Sequence, residues 1–131
     1  MTRFVIDAGV ALHLVSEGVE VDPNHELLAP TLFRSQTLSL AHESVARGEL
    51  AAGVALERLE RLWQLKIRLL GDAVLRRLAW KIADRMEWAS TYDAEYIALT
   101  QLQADAFVTL YGDLARRVEE IVPVATVKDL R

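Results

Sequence analysis

The sequence predicts an α/β fold with a parallel, doubly wound sheet. Short apolar segments typical of buried strands alternate along the chain with longer segments of helical periodicity. The chain has 131 residues, of which 52% are hydrophobic, so it can bury a core of its own. We therefore expect one domain over residues 1–131, because no repeat, low-complexity tract or linker-like segment divides it.

The first half of the chain contains two predicted strands and three predicted helices. Gly18 ends the first helix, Asp22-Pro23-Asn24 is a turn signal, and Pro30 is predicted to open the second helix. In order, the predicted elements are a strand Arg3–Asp7, a helix Ala8–Glu17, a strand Glu26–Ala29, a helix from Pro30 to Gly48 and a helix Leu50–Trp63.

The second half repeats the alternation. Leu65–Leu69 alternates with period two, which favours a strand, although the same residues could extend the preceding helix. Asp72 suits a helix N-cap, and Ser90 or Thr91 can cap the helix after it. The remaining elements are a helix from Asp72 to Met86, a helix to about Leu102, a strand Ala106–Thr109, a helix Gly112–Glu119 and a strand Ile121–Ala125.

Composition excludes several classes of function. The chain has no cysteine, which excludes disulfides, thiolate catalysis and cysteine-ligated zinc or iron–sulfur sites. It has no apolar segment near the length that spans a bilayer and no signal-peptide pattern, so we expect no membrane association and a cytoplasmic location. The net charge of −4 is unfavourable for general binding to nucleic-acid backbone. A nuclease function would therefore have to depend on a local site.

Three acidic residues stand where such a fold would bring them together. Asp7 follows the apolar run F-V-I, Asp93 begins a helical pattern in T-Y-D-A-E-Y, and Asp113 follows the run F-V-T-L-Y-G. Ligands of open α/β sheets bind outside the carboxyl ends of the strands. Because Mg²⁺ prefers oxygen ligands, these three carboxylates are the candidate ligands of a catalytic metal.

Several short motifs, in a fixed order, give the chain a family resemblance. The motifs are V-I-D-A at Val5–Ala8, A-P at Ala29–Pro30, R-G-E-L at Arg47–Leu50, Y-D-A-E-Y-I-A-L at Tyr92–Leu99 and F-V-T at Phe107–Thr109. With these motifs, whose spacing spans Val5 to Leu114, the whole chain resembles a PIN domain, and specifically the small toxins of the VapC type.

The resemblance implies a three-layer PIN-like fold, with a central parallel sheet of four to five strands and helices on both sides. It also implies an endoribonuclease that depends on Mg²⁺ or Mn²⁺, an RNA substrate, a cognate antitoxin protein as partner, and a homodimer. Asp7 matches the first acid of the family and Asp93 matches the third. One or two divalent cations held by such acids can activate a water and offset the charge of a phosphodiester.

The family's second acid is replaced in this chain. It is usually a Glu six residues after the helix-opening proline and about twelve before the glycine of R-G-x-L. Counting from Pro30 and from Gly48 leads to Gln36 in both cases. Gln36 keeps an oxygen that could orient a water or coordinate weakly, but it cannot neutralise a cation or act as a base.

Two further family positions also depart from the pattern. The fourth acid lies two residues after the strand's threonine, where this chain has Tyr111. Asp113 follows two residues later, a place where some family members have an acid, and it could contribute through a metal-bound water. The hydroxyl residue expected two positions after the first acid is Gly9.

Structural interpretations of the same residues remain open. Asp7 could simply end a strand, Asp93 could interact favourably with the dipole at its helix N-terminus, and Asp113 could cap a helix. The joint pattern favours the functional interpretation for Asp7 and Asp93. Thr109 could hydrogen-bond an acid of the site or only finish its strand, and Glu43, roughly 10 Å along the helix axis from Gln36, could help hold a second ion or be solvated.

Two functions follow from these alternatives. The first is a metal-dependent endoribonuclease of the toxin type, attenuated because the second acid is Gln36. The second is a catalytically silent PIN-like protein that acts by binding RNA or another protein. Arg34, near Gln36 in the sequence, is the candidate for a phosphate contact at the edge of the cleft.

Overall fold

A five-stranded parallel sheet forms the centre of the molecule. The computed structural model describes residues 1–131. The strand order across the sheet is β3-β2-β1-β4-β5, and every neighbouring pair is parallel. The strands are β1 Thr2–Ile6, β2 His25–Pro30, β3 Ile67–Leu70, β4 Ala106–Val108 and β5 Val124–Ala125.

Six α-helices cover the two faces of this sheet, as the three-layer prediction requires. Helices α1, α2 and α3 pack against one another, while α4 packs along α5, and α5 contacts β1, β2 and β4. The helices are α1 Ala8–Glu17, α2 Phe33–Ala46, α3 Ala52–Trp63, α4 Ala73–Met86, α5 Tyr92–Gln103 and α6 Gly112–Val118, followed by a short 3₁₀ helix at Val127–Leu130. None of the helices is long and apolar enough to cross a membrane.

The predicted start of α2 is wrong. Pro30 does not open the helix; it is the last residue of β2 and pairs with Leu70, while α2 begins at Phe33. A proline can end a strand because the hydrogen-bonded ladder stops there. The alternating segment predicted at Leu65–Leu69 is a strand, β3, shifted by two residues at its start. The predicted last strand is shorter, since only Val124–Ala125 pair with β4.

Helix α5 is the most enclosed helix of the fold. Its buried residues occupy almost every direction around the helix axis because it lies between the sheet and α4: Ala94, Tyr96, Ile97, Ala98, Leu99 and Thr100. Such a helix has little freedom to shift, since interiors are close-packed. The backbone of its first turn, which carries Asp93, is therefore held in place relative to the sheet.

Not all apolar residues of α3 face the core. In α3 only Ala55, Leu59 and Leu62 are buried, whereas Leu56 and Trp63 are exposed. A helix on the surface of a domain buries one stripe, so apolar residues outside that stripe face solvent. Two of the three tryptophans are exposed, at 45% for Trp63 and 67% for Trp80.

Candidate active site

A cleft opens at the carboxyl ends of the central strands. Strand β1 lies between β2 and β4, so the chain leaves it toward one side of the sheet and later returns to the other. This is a topological switch point, where ligands of open α/β sheets bind. The cleft has a volume of about 290 Å³ and is lined by Asp7, Ala8, Gly9, Gln36, Ser39, Leu40, Glu43, Asp93, Tyr96 and Tyr111.

Asp7 lies directly after β1 and forms part of the cleft wall. The residue is only 7% exposed. Its Oδ1 accepts a hydrogen bond from the Val10 backbone N–H at 2.9 Å, which makes it the N-cap of α1. Its Oδ2 accepts one from the Thr109 hydroxyl at 2.6 Å, which joins the ends of β1 and β4. Asp7 is thus both a structural cap and a cleft residue with one fixed orientation.

The electrostatic surroundings of Asp7 are unfavourable to its charge. Burial raises the pKa of Asp7, and the nearby charge of Asp93 acts in the same direction, while the hydrogen bonds from Thr109 and Val10 oppose the rise. A carboxyl whose pKa is raised by burial in a cleft is typical of functional sites. A cation beside it would relieve both the burial and the repulsion.

Asp93 stands in the first turn of α5 and is exposed at the mouth of the cleft. Partial burial of its carboxyl raises the pKa of Asp93, and the charge of Arg117 opposes this rise. The Arg117 guanidinium rests over the Trp88 ring, 5.3 Å from its centroid. Trp88 therefore holds a cation on the α6 side of Asp93.

Gln36 lines the cleft and is bonded to a residue that the sequence did not single out. The Tyr96 hydroxyl donates a 2.6 Å hydrogen bond to Gln36 Oε1. Tyr96 is 2% exposed, and burial, followed by the charges of Asp7 and Asp93, holds the pKa of its hydroxyl far above the usual range. Tyr96 lies three residues after Asp93 on α5, and this spacing on one helix face was the signal that could have found it.

The structure does not bring Asp113 to the cleft lining. Its side chain is 90% exposed and pairs with Arg116, one turn further along α6. The family's fourth position, Tyr111, does line the cleft. A Cβ placed on Gly9 would lie 3.6 Å from the Tyr111 hydroxyl oxygen and 3.6 Å from Asp7 Oδ1, so Tyr111 covers the space beside Gly9.

Thr109 and Glu43, two of the open sequence candidates, have identified partners. Thr109 hydrogen-bonds Asp7 rather than only ending its strand, and its Oγ1 also accepts the Tyr111 backbone N–H at 3.1 Å. Glu43 lines the cleft and accepts a 2.8 Å hydrogen bond from the Ser39 hydroxyl. Arg34 lies in a separate, mostly apolar groove with Phe33 and residues near β3, outside the cleft lining.

The donor set of the cleft fits a divalent cation only in part. No group of three or more His, Cys, Asp or Glu side chains is close enough to hold an ion together. Asp7 and Asp93 remain as a pair of carboxylates in one cleft. Mg²⁺ keeps several waters and is commonly bound through one or two carboxylates together with substrate phosphates, and a pair of carboxylates matches that kind of ligand set.

Comparison with known proteins supports the fold. No protein-family model and no curated protein sequence matches the chain. Among solved structures, PAE2754 from Pyrobaculum aerophilum has a TM-score of 0.79 and 16% sequence identity, over 98% of this chain and 92% of that one. VapBC-1 from nontypeable Haemophilus influenzae has a TM-score of 0.62 and 14% identity, over 95% of this chain and 97% of that one. The chain thus has a three-layer PIN-like fold.

Proposed function

We propose that this chain is a metal-dependent endoribonuclease of the PIN type, and that it is the toxin of a toxin–antitoxin pair. The observation that carries the proposal is that Asp7 and Asp93 line one cleft at the switch point of a PIN-like sheet. The VapC-like motifs and the likeness in fold to VapBC-1 support the toxin class. We further propose a cytoplasmic location, in agreement with the absence of cysteine.

Asp7 and Asp93 would hold Mg²⁺ or Mn²⁺, which when bound supplies an activated water and offsets the charge of the phosphodiester. Thr109 keeps Asp7 in one orientation through its 2.6 Å hydrogen bond. Gln36 contributes no charge, and Asp113 pairs with Arg116 outside the cleft lining. We therefore propose attenuated activity, because affinity for a hard cation follows the charge of its ligands.

The proposed partners are an antitoxin protein and a second copy of the chain. Helices α2, α3 and α4 each expose large apolar side chains, and we propose that a partner covers some of them. The exposed residues on these helices are Leu38, Val54, Leu56, Trp63, Val74 and Trp80. Light scattering of the isolated chain and of a co-expressed complex would measure both associations.

Substitution of the two cleft aspartates tests the proposed reaction. Asp7→Asn and Asp93→Asn should each abolish Mg²⁺-dependent RNA cleavage, and the double variant should also lose saturable Mn²⁺ binding in calorimetry. Asp84→Asn, which changes an exposed acid of α4, is the matched control and should behave as the unmodified protein. If the highly purified double variant cleaves RNA at the unmodified rate, the assignment of these residues is wrong.

A second function is favoured by the absence of a three-acid cluster. Under this alternative the chain is a catalytically silent PIN-like protein that acts by binding RNA or a protein. Calorimetry with Mn²⁺ separates the two functions: saturable binding at millimolar concentration or tighter supports the nuclease, whereas no binding supports the silent protein. Gln36→Glu adds a third carboxylate, and a large gain in cleavage would show that the natural protein is an attenuated nuclease.

A further inference from the structure

The hydrogen bond between Tyr96 and Gln36 determines which atom Gln36 presents to the cleft. Tyr96 is buried, and its hydroxyl donates to Gln36 Oε1 at 2.6 Å. A buried hydroxyl needs an acceptor for its proton, and the carbonyl oxygen of Gln36 is the acceptor bonded to it. Because the amide oxygen and nitrogen point in different directions from one carbon, the oxygen that is bonded to Tyr96 leaves Nε2 without that contact.

The Gln36 nitrogen has no partner within the protein. Gln36 lines the cleft, and its Nε2 makes no hydrogen bond to Asp7, Asp93 or Glu43, the three acids that share the lining. The amide NH₂ carries two donor hydrogens and no acceptor. Position 36 therefore presents hydrogen-bond donors to a cleft whose charged groups are all acids, and a metal ion cannot coordinate these donors.

We propose that Tyr96 is a positioning residue that engages the Gln36 amide oxygen and leaves its N–H groups free for a ligand in the cleft that both residues line. In this orientation the amide is a donor to a non-bridging phosphate oxygen of RNA, next to the cation site of Asp7 and Asp93. The identity of this ligand rests on the proposed function, whereas the orientation of the amide does not. In this arrangement Gln36 would contact the substrate and not the metal ion.

Side-chain hydrogen exchange tests the orientation without reference to activity. In ¹⁵N-labelled protein the Gln36 NH₂ signals are identified by their loss in Gln36→Leu. Both amide protons should exchange rapidly, because neither is bonded within the protein, and the Tyr96 hydroxyl proton should be protected. A protected Gln36 amide proton would place Nε2 against Tyr96 and overturn the proposal.

Steady-state cleavage and calorimetry test the role. Gln36→Leu removes the donors and should raise the KM for RNA about tenfold, the loss expected for one hydrogen bond to a charged oxygen, while the Mn²⁺ dissociation constant stays within about twofold. A tenfold loss of Mn²⁺ affinity in this variant would mean that Oε1 is a metal ligand, and an unchanged KM would mean that the amide does not contact substrate. Either result overturns the proposal.

The tyrosine variant separates positioning from packing. Tyr96→Phe keeps the ring and removes only the hydroxyl, so the Gln36 amide can rotate. The KM for RNA should then rise about threefold, a fraction of the effect of losing one whole hydrogen bond, with no loss of Mn²⁺ affinity. Tyr92→Phe, on the same helix but exposed, is the control and should have no effect. Equal KM values for Tyr96→Phe and the unmodified protein would contradict the positioning role. If the unmodified protein neither binds Mn²⁺ nor cleaves RNA, the proposed function fails while the exchange test of the orientation still stands.

Discussion

Two regions beside the sheet carry an aspartate after a strand, but they hold it differently. At the cleft floor, defined by Asp7 and Thr109, the carboxylate is buried and accepts hydrogen bonds from two separate elements. At the α6 rim, defined by Gly112 and Asp113, the carboxylate is exposed and pairs with an arginine of its own helix. Exposed ion pairs contribute little, so only the floor has an enforced geometry. The partner available to an acid, rather than its place after a strand, determines whether it enters the site.

The largest effect is expected when Asp7, at the cleft floor, loses its hydrogen-bond donor Thr109. Thr109→Val keeps the branched shape and removes the hydroxyl that donates to Asp7. Metal affinity and cleavage should fall about 10–100-fold, as for other side chains that orient a metal ligand. Thr109→Ser keeps the hydroxyl and should stay close to the unmodified protein. A Thr109→Val protein with unchanged Mn²⁺ binding and cleavage would show that the floor does not depend on this bond.

Because the pKa of Asp7 is raised, its ionised carboxylate at the cleft floor should destabilise the folded protein at neutral pH. Relative to its ordinary value of 3.8, the pKa of Asp7 is raised in the folded protein, so its contribution to stability is fully present below that value and is lost as the pH rises through the folded-state pKa. Asp7→Asn keeps a capping side chain and should stabilise the protein at pH 7, with a smaller gain at pH 3.

Thermal unfolding between pH 3 and pH 7 measures this effect, and Asp129 gives a control of opposite sign. Hydrogen bonds from Thr126 lower the pKa of Asp129, so its contribution is present above the ordinary value and is lost as the pH falls. Asp129→Asn should therefore reduce stability at pH 7. An Asp7→Asn protein that is less stable than the unmodified protein at pH 7 would contradict the cost assigned to the cleft floor.

Gly9 lies beside Asp7 and Tyr111, and a substitution there tests how tightly these side chains pack. A Cβ there would meet Asp7 Oδ1 and the Tyr111 hydroxyl at 3.6 Å, which is ordinary van der Waals contact. Gly9→Ala should stabilise the protein by up to about 0.5–1 kcal/mol, because Gly9 is the second residue of α1 and alanine has the higher helix propensity. Gly18→Ala is the contrasting control, since Gly18 has a φ of 62° and an added side chain is strained there. Urea denaturation of both variants measures the difference, and a destabilised Gly9→Ala protein would mean that the space beside Tyr111 is tighter than described.

The smallest effect is expected at the α6 rim. Asp113→Asn removes one exposed ion pair and should change the free energy of unfolding by less than about 0.5 kcal/mol. Cleavage and Mn²⁺ affinity should stay within about twofold, because Asp113 does not line the cleft. A loss as large as that of Asp93→Asn would restore Asp113 as a ligand of the metal.

The central strands were predictable because buried apolar runs such as Phe4–Ile6 and Phe107–Val108 have few alternative structures, whereas the bounds of the edge strands β3 and β5 differed from the prediction. The family resemblance pointed to Asp7, Gln36 and Asp93, and the structure brings all three to one cleft. The role of Pro30 was not predictable, since proline suits both the first turn of a helix and the end of a strand. Nor was the direction of Asp113, which depends on the arginine three residues away.

Tyr96 illustrates why contacts are harder to predict than elements. Its hydroxyl reaches Gln36 across 60 positions of sequence, from α5 to α2. Helical spacing places Tyr96 on the face of α5 that carries Asp93, but it does not state what stands opposite that face. Only the packing of α5 between the sheet and α4 determines that the hydroxyl meets an amide oxygen.

The hydrogen bond between Asp7 and Thr109 has a consequence for synthesis of the chain on the ribosome. The two residues are 102 positions apart, and β1 acquires its neighbour β4 only when the segment at 106–108 has been made. A nascent chain that ends earlier carries Asp7 without the strand and the hydroxyl that orient it. Long-range pairings of this kind also form slowly. The cleft is therefore completed only after the segment that carries β4 and Thr109 has been translated and has folded against β1.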